Sequence, residues 1–346
     1  MDWLGQTYEV VIEGLSALLS PLLYPFDPSR RIFIGFVFVA LVMGYYYYQK
    51  HLGKKGLRAF FAFFFEKEIW LHPSSRTDFK LLFANSLVAA SLIAPFILAK
   101  LTIVVWVSSG LRNEFGVVEG VMFPYWGVLL LFTLVLFLAE DFKRFIVHYA
   151  FHRIPLLWAF HKVHHSAEVL TPITLYRTHP VETFISRFSS VLVLGTVTGV
   201  FVYLFPGKLS AVEILGVDAL GFIFNALGAN LRHSHIPFSF GKLDRWIISP
   251  HMHQVHHSVD SRHFDRNFGS CFAFWDRLWG TLYIPHAEEK LNFGCKDGGK
   301  HTLTSQWLRP FIQAGSIISS RIIGARKKRV ARQTRTRENK MDVRYW

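Results

Sequence analysis

Twelve of the chain's 17 histidines fall between His148 and His257, and their spacing is that of helix faces. His148 and His152 are four residues apart, which sets two imidazoles about 40° apart on one face of a helix. Pro155 follows and should end that helix. His161, His164 and His165 form a His-x-x-His-His set, and His253, His256 and His257 form a second. Ser249 and Pro250 read as the N-cap and first residue of the helix that carries the second set. His233 and His235 stand ahead of it. Neutral imidazole is the commonest nitrogen ligand for zinc, iron and copper. One zinc takes about four ligands. Eight or nine imidazoles exceed that, so the arithmetic favours two ions. His251 lies about 160° from His253 on an ideal helix and is read as pointing away. His51, His72, His263, His286 and His301 are isolated and are read as structural or exposed.

The elements that must position these side chains are apolar. Hydrophobic residues make up 51% of the 346 positions and charged residues 18%, against about 25% charged in a typical soluble domain. That excludes a disordered chain and argues against an ordinary soluble enzyme. Five runs, 32–49, 81–107, 122–139, 188–205 and 209–229, approach the roughly 20 residues a bilayer crossing needs. The second is interrupted by Pro95 and Lys100, and reads as a bent helix or a broken pair. Residues 14–26 fit an interfacial segment. The N-terminus carries Asp2, Glu9 and Glu13 in place of the basic start of a secretory signal. The expected fold is an all-α integral membrane protein with about four to five transmembrane helices and a helical, histidine-rich cap. Three segments are expected: a membrane region at 1–121, a catalytic domain at 122–290 and a C-terminal segment at 291–346.

With five crossings, residues 50–78 share a side with 140–187 and with everything after 230. Arg30, Arg31, Arg112 and Lys208 then lie opposite. Lys and Arg mark the first side as cytoplasmic. Two crossings separate the first histidines from the last set, so every set can meet on one side. Much of the net charge of +14 sits in the tail, where residues 321–346 hold ten Lys or Arg and two acids. Beside a bilayer this points to anionic lipid headgroups and away from nucleic acid. Cys271 and Cys295 are too few for a disulfide framework. No Gly-rich dinucleotide fingerprint stands in the chain, so bound NAD or FAD is not expected.

The three histidine sets resemble the boxes of the fatty acid hydroxylase superfamily, which includes the sterol desaturases. The surrounding residues are similar too. Asp141 precedes the first box by seven residues. Arg177-Thr178-His179-Pro180-Val181-Glu182 resembles an Arg-x-His-Pro-x-Glu motif, and Arg232-His233-Ser234-His235 a short segment ahead of the last box. Asp265–Gly269 and Trp275–Thr281 resemble the closing motifs. The resemblance covers about 122–285. It implies a di-iron centre that uses O2 and external electrons to hydroxylate or desaturate lipid carbon. By it the ligands are His148, His152, His161, His164, His165, His233, His253, His256 and His257, with His179 and His235 as further candidates. Asp141 becomes a partner for an imidazole N–H, and Arg177 and Glu182 a pair that braces the site. Electrons would come from a ferredoxin, or from cytochrome b5 with its reductase. The closing motifs are more like those of bacterial members, which favours a bacterial inner membrane, with the ER membrane second. The competing readings are a metal transporter and a structural zinc site.

Overall fold

A bilayer offers no partner for backbone N–H and C=O groups, so an apolar segment in it must bond to itself as a helix. The computed structural model describes residues 3–118, 123–209, 219–285, 289–295 and 297–342. Among them no strand forms, and Ile247 and Phe272 make one isolated antiparallel bridge. In chain order the helices are α1 (Trp3–Leu19), α2 (Ile34–Lys50), α3 (Leu57–Phe64), α4 (Lys67–Trp70), α5 (Pro73–Phe115), α6 (Tyr125–Arg153), α7 (Pro155–His165), α8 (Pro180–Leu204), α9 (Ala219–Ala226), α10 (Pro250–His256), α11 (Phe274–Trp279) and α12 (Leu303–Asp342). Three of them, α5, α6 and α8, are long and apolar enough to cross a membrane. This is an all-α membrane protein.

The 81–107 run is part of one helix, with Pro95 inside it. α5 has 43 residues, or about 64 Å at 1.5 Å per residue. That is twice a hydrocarbon core of about 30 Å, so one end must stand outside. Its first turns do so: Ser74, Ser75, Thr77 and Asp78 are buried in the cap. Farther along, Leu98, Val105 and Trp106 are exposed, as lipid-facing residues are. α6 repeats the plan in reverse, with Leu130, Leu134 and Leu138 exposed before Asp141 is buried. α8 leaves the cap at buried Glu182 and then exposes Phe184, Phe188 and Leu192. α5 and α8 touch through glycines. A Cβ on Gly199 would come within 2.7 Å of the Val107 side chain and 3.0 Å of the Val104 carbonyl. Small residues allow such backbone approach in lipid, where no hydrophobic drive holds helices together.

The first apolar run departs from expectation. α2 has 17 residues, about 25 Å, and both its ends lie at the cap. Just before it, the Arg31 carbonyl accepts from Asn230 Nδ2 at 2.7 Å. At its far end Tyr48 packs in one cluster with Phe60, Leu231 and Ile236. Phe36, Ala40, Gly44 and Tyr48 form a buried stripe at one-turn steps, while Ile34, Phe38, Val42 and Tyr46 are exposed. The helix therefore lies along the cap. Its composition misleads because its inner stripe, packed on Phe60 and Ile236, is as apolar as its exposed one. As a consequence Arg30 and Arg31 stand on the cap side, leaving Arg112 and Lys208 opposite. The last run, 209–229, lies partly outside the described residues; α9 belongs to it, and by Ala229 the chain is back at the cap. Residues 14–26 continue α1 into a 3-10 turn over Ser20–Phe26, with Tyr24 packed on Leu82 and Ile173.

Candidate metal centre

The cap collects helix ends. α6 carries His148 and His152 in its last turns and stops at Arg153, because Pro155 starts α7. α7 ends in His161, His164 and His165. A 3-10 turn over Ala229–His233 presents His233. Ser249 caps α10 by accepting the Met252 N–H, with Pro250 as first residue, as the sequence predicts. α10 then carries His253 and His256, with His257 at its C-cap.

Nine imidazoles come together as two adjoining sets. His148, His152, His161, His165 and His256 form one; His164, His233, His253 and His257 form the other. Within each set, one potential ligand atom per residue lies within 4.8 Å of all the others. The boxes divide between the sets. α7 contributes His161 and His165, one turn apart, to the first and His164 to the second. The α10 box does the converse, with His253 and His257 in the second and His256 in the first. In the four-histidine set the Nε2 of His233 is 3.2 Å from His164, 3.2 Å from His257 and 3.1 Å from His253. In the five-histidine set the His161 and His165 Nε2 atoms are 3.2 Å apart. Nitrogens held about 2.1 Å from one metal stand about 3.0–3.4 Å from each other. The rings of His165 and His257 stack across the boundary at 4.5 Å.

Outer partners set the ring orientation. His148 Nδ1 donates to the Phe268 carbonyl at 2.9 Å, and His256 Nδ1 to the Arg266 carbonyl at 2.7 Å. His161 Nδ1 donates to Glu182 Oε1 at 2.8 Å, and His164 Nδ1 to the Arg177 carbonyl at 3.3 Å. Each acceptor fixes the proton on Nδ1 and turns the Nε2 lone pair inward. The Nε2 atoms of His152 and His256 are buried without a hydrogen-bond partner. Burial pulls His161 and His164 down to about 3, and holds His165, His233, His253, His256 and His257 well below the usual imidazole range, with neighbouring imidazoles adding to it in the latter five. Converging, buried, neutral lone pairs repel one another unless a cation sits between them. The donor set therefore fits two metal ions.

Three expected roles change. Among the described residues Asp141 bonds to no imidazole. Its carboxylate accepts from the Cys271 and Phe272 N–H groups at 2.8 and 3.2 Å and from Trp275 Nε1 at 3.0 Å. Asp276 accepts from the Phe268 and Gly269 N–H groups at 2.8 and 2.7 Å. The two carboxylates clamp the loop whose Phe268 carbonyl orients His148, so Asp141 acts one step farther out. Gly269 is forced there, because a Cβ would lie 2.7 Å from the Phe272 carbonyl. Arg177 and Glu182 do not pair with each other: Glu182 holds His161, and Arg177 pairs with Asp78 at 2.7 Å. Sequence reasoning missed Asp78, a lone acid at the head of an apolar run. It also missed Ser166, which accepts from Arg177 at 2.8 Å.

His179 and His235 lie outside both sets. His179 Nδ1 accepts the Val181 N–H and caps α8, while its Nε2 donates to the Trp307 carbonyl. His235 packs edge-on against Phe63, and burial pulls it down to about 4. His251 is buried and belongs to neither set. His72 caps α5, His301 lies beside Arg177 and Glu168, His51 stacks on Tyr47, and His263 is buried near Glu289. His286 lies outside the described residues. Both cysteines are free.

A cavity of about 280 Å³ opens onto His148, His161, His164, His233 and His253. Arg232 lines it, and burial pulls its guanidinium down to about 10, which leaves it charged at neutral pH.

Residues 133–281 match the fatty acid hydroxylase family model. An alkylglycerol monooxygenase of Xenopus tropicalis is 29% identical over 45% of this chain and 31% of its own length. An ornithine lipid hydroxylase of Rhizobium tropici is 26% identical over 56% of this chain and 53% of its own. A Delta(7)-sterol 5(6)-desaturase of Aspergillus fumigatus is 27% identical over 66% and 61%. The chain thus spans between about a third and three fifths of the relatives it matches. No solved structure matches it. The matched stretch contains every histidine of both sets and the loop that orients them, so the similarity to the fatty acid hydroxylase family falls on the candidate metal centre itself.

Proposed function

We propose that the nine imidazoles hold two iron ions and that the protein uses O2 to hydroxylate or desaturate a lipid, with residues 122–290 as the catalytic segment. The observation that carries this reading is the division of nine neutral imidazoles into a set of five and a set of four. The names of the three relatives are consistent with it. Zinc cannot serve, because it has no accessible second oxidation state. When bound, iron supplies the redox equivalents that O2 reduction and C–H cleavage require. The chain supplies the rest. The Phe268 and Arg266 carbonyls, Glu182 and the Arg177 carbonyl hold Nδ1 protons so that each Nε2 points inward. Phe151 stacks on the His161 ring and helps keep water away. The cavity receives the substrate from the bilayer beside it.

Electrons come from a separate protein, a ferredoxin or cytochrome b5 with its reductase. The cap faces the cytoplasm of a bacterial inner membrane, with the ER membrane as the second choice. The basic tail lies on anionic headgroups. A transporter is disfavoured because its ionisable residues would line a path within the spans, whereas both sets sit at helix ends. Protein purified without oxygen should carry about two irons per chain and should oxidise a lipid that accumulates in a deletion strain. One zinc per chain, with no lipid changed between deletion and overexpressing strains, defeats the reading. Removal of the Glu182 carboxylate by Glu182→Ala should lower metal affinity of the five-histidine set about 10–100-fold. The check is iron lost to a competing chelator.

A further inference from the structure

The cavity beside the histidines is lined by four cations, Arg31, Lys143, Arg144 and Arg232, and by one acid, Glu182. The acid is engaged by His161. Glu140 serves two of the cations at once, at 2.9 Å from Lys143 and 3.1 Å from Arg144. Asp141 is occupied by the loop it clamps. Arg232 is buried, with its guanidinium 4.6 Å from the Phe224 ring centre. Of the five N–H donors a guanidinium carries, the described residues take one, from Nη2 to the Ile248 carbonyl at 2.7 Å. A buried charge that lacks a bonded counter-ion is costly, and a planar donor fork fits a carboxylate or phosphate.

Arg232 also lines a second cavity of about 260 Å³, whose other walls are almost wholly apolar. Ile223, Leu227 and Leu243 of that cavity are large apolar residues with exposed surface. The two cavities share Ala229 and Arg232. We propose that the substrate is a lipid with an anionic group, a phosphate or carboxylate, bound by Arg232 with Arg31 and Arg144. Its chain fills the apolar cavity, and the oxidised carbon lies near the charged end. The oxidation rests on the oxygenase reading; the binding does not.

Purified, metal-loaded protein in neutral detergent, titrated calorimetrically with dodecyl phosphate, dodecanol and inorganic phosphate, tests this. Dodecyl phosphate is expected to bind about tenfold or more tighter than dodecanol, and tighter than inorganic phosphate. Arg232→Gln should remove most of that preference and Arg232→Lys should keep part of it. Arg144→Gln, at a half-exposed position, should reduce it several-fold and covers the case in which Arg232 variants fail to fold. Equal affinity for dodecanol and dodecyl phosphate overturns the proposal, as does a preference untouched by Arg144→Gln and Arg232→Gln. Inorganic phosphate binding as tightly as dodecyl phosphate overturns the lipid assignment and makes free phosphate the ligand. A binding preference that holds while no lipid is oxidised supports the anion site and counts against the oxygenase reading alone.

Discussion

If the two sets each hold an ion, as proposed, His164→Ala is expected to lower the metal content from two ions per chain to about one and product formation by more than about 100-fold, beyond the 10–100-fold that outer partners cost. His165→Ala, one residue along, acts on the other ion. The difference follows from how α7 is shared. His164 belongs to the set of four, and its loss leaves His233, His253 and His257. His165 belongs to the set of five, and its loss leaves His148, His152, His161 and His256. Three imidazoles hold an ion less well than four. So His165→Ala keeps a second ion that a chelator strips readily, whereas His164→Ala never retains it. Metal analysis before and after chelation reads both. Identical metal loss in the two variants would show that the sets do not act as separate sites. His161→Ala and His256→Ala are expected to end product formation as well.

Arg177→Ala destabilises the protein by about 3–5 kcal/mol, the usual penalty for breaking a buried ion pair from one side. Neither Arg177 nor Asp78 has any exposed surface. The guanidinium also donates to the Val163 carbonyl at 2.9 Å and to Ser166 Oγ at 2.8 Å, which ties α7 to α5. Alanine would leave the Asp78 carboxylate charged, buried and short of partners. The expected result is a lower unfolding temperature in detergent together with weaker metal binding, because the Arg177 side chain anchors the segment whose backbone carbonyl orients His164. Replacing both partners with apolar residues of similar size, Arg177→Met with Asp78→Leu, should recover part of the loss, since no charge is then stranded. An unfolding temperature equal to wild type in Arg177→Ala would refute this account of the cap.

The clustering of the nine histidines was legible because helical spacing converts directly into shared faces, and the acceptors of their Nδ1 protons were not. The partners of His148, His164 and His256 are backbone carbonyls, which leave no trace in residue type. Asp78 is 99 residues from Arg177 in the chain, and spacing arguments do not reach that far. Glu182 was visible as a motif residue, but its partner, His161, became clear only when α7 and α8 were seen to meet. α2 shows the limit on the fold side. Hydropathy registers that a stripe is apolar and is blind to whether lipid or Phe60 covers it. Of the two passages expected between the first boxes and the last, α8 is long and apolar enough to be one, and the other, 209–229, lies partly outside the described residues.

α6 runs without interruption from exposed Leu130 to His152, so membrane anchor and ligands turn on a single screw. From Leu138 to His148 is about 15 Å of rise. One residue inserted there would swing both imidazoles by about 100° and carry them out of their set. Seven residues would nearly restore the angle but would lift the pair about 10 Å from α7. No insertion satisfies angle and height together. The height of His148 and His152 above the exposed Leu130–Leu138 face is therefore a constant of this fold, set by a single unbroken helix.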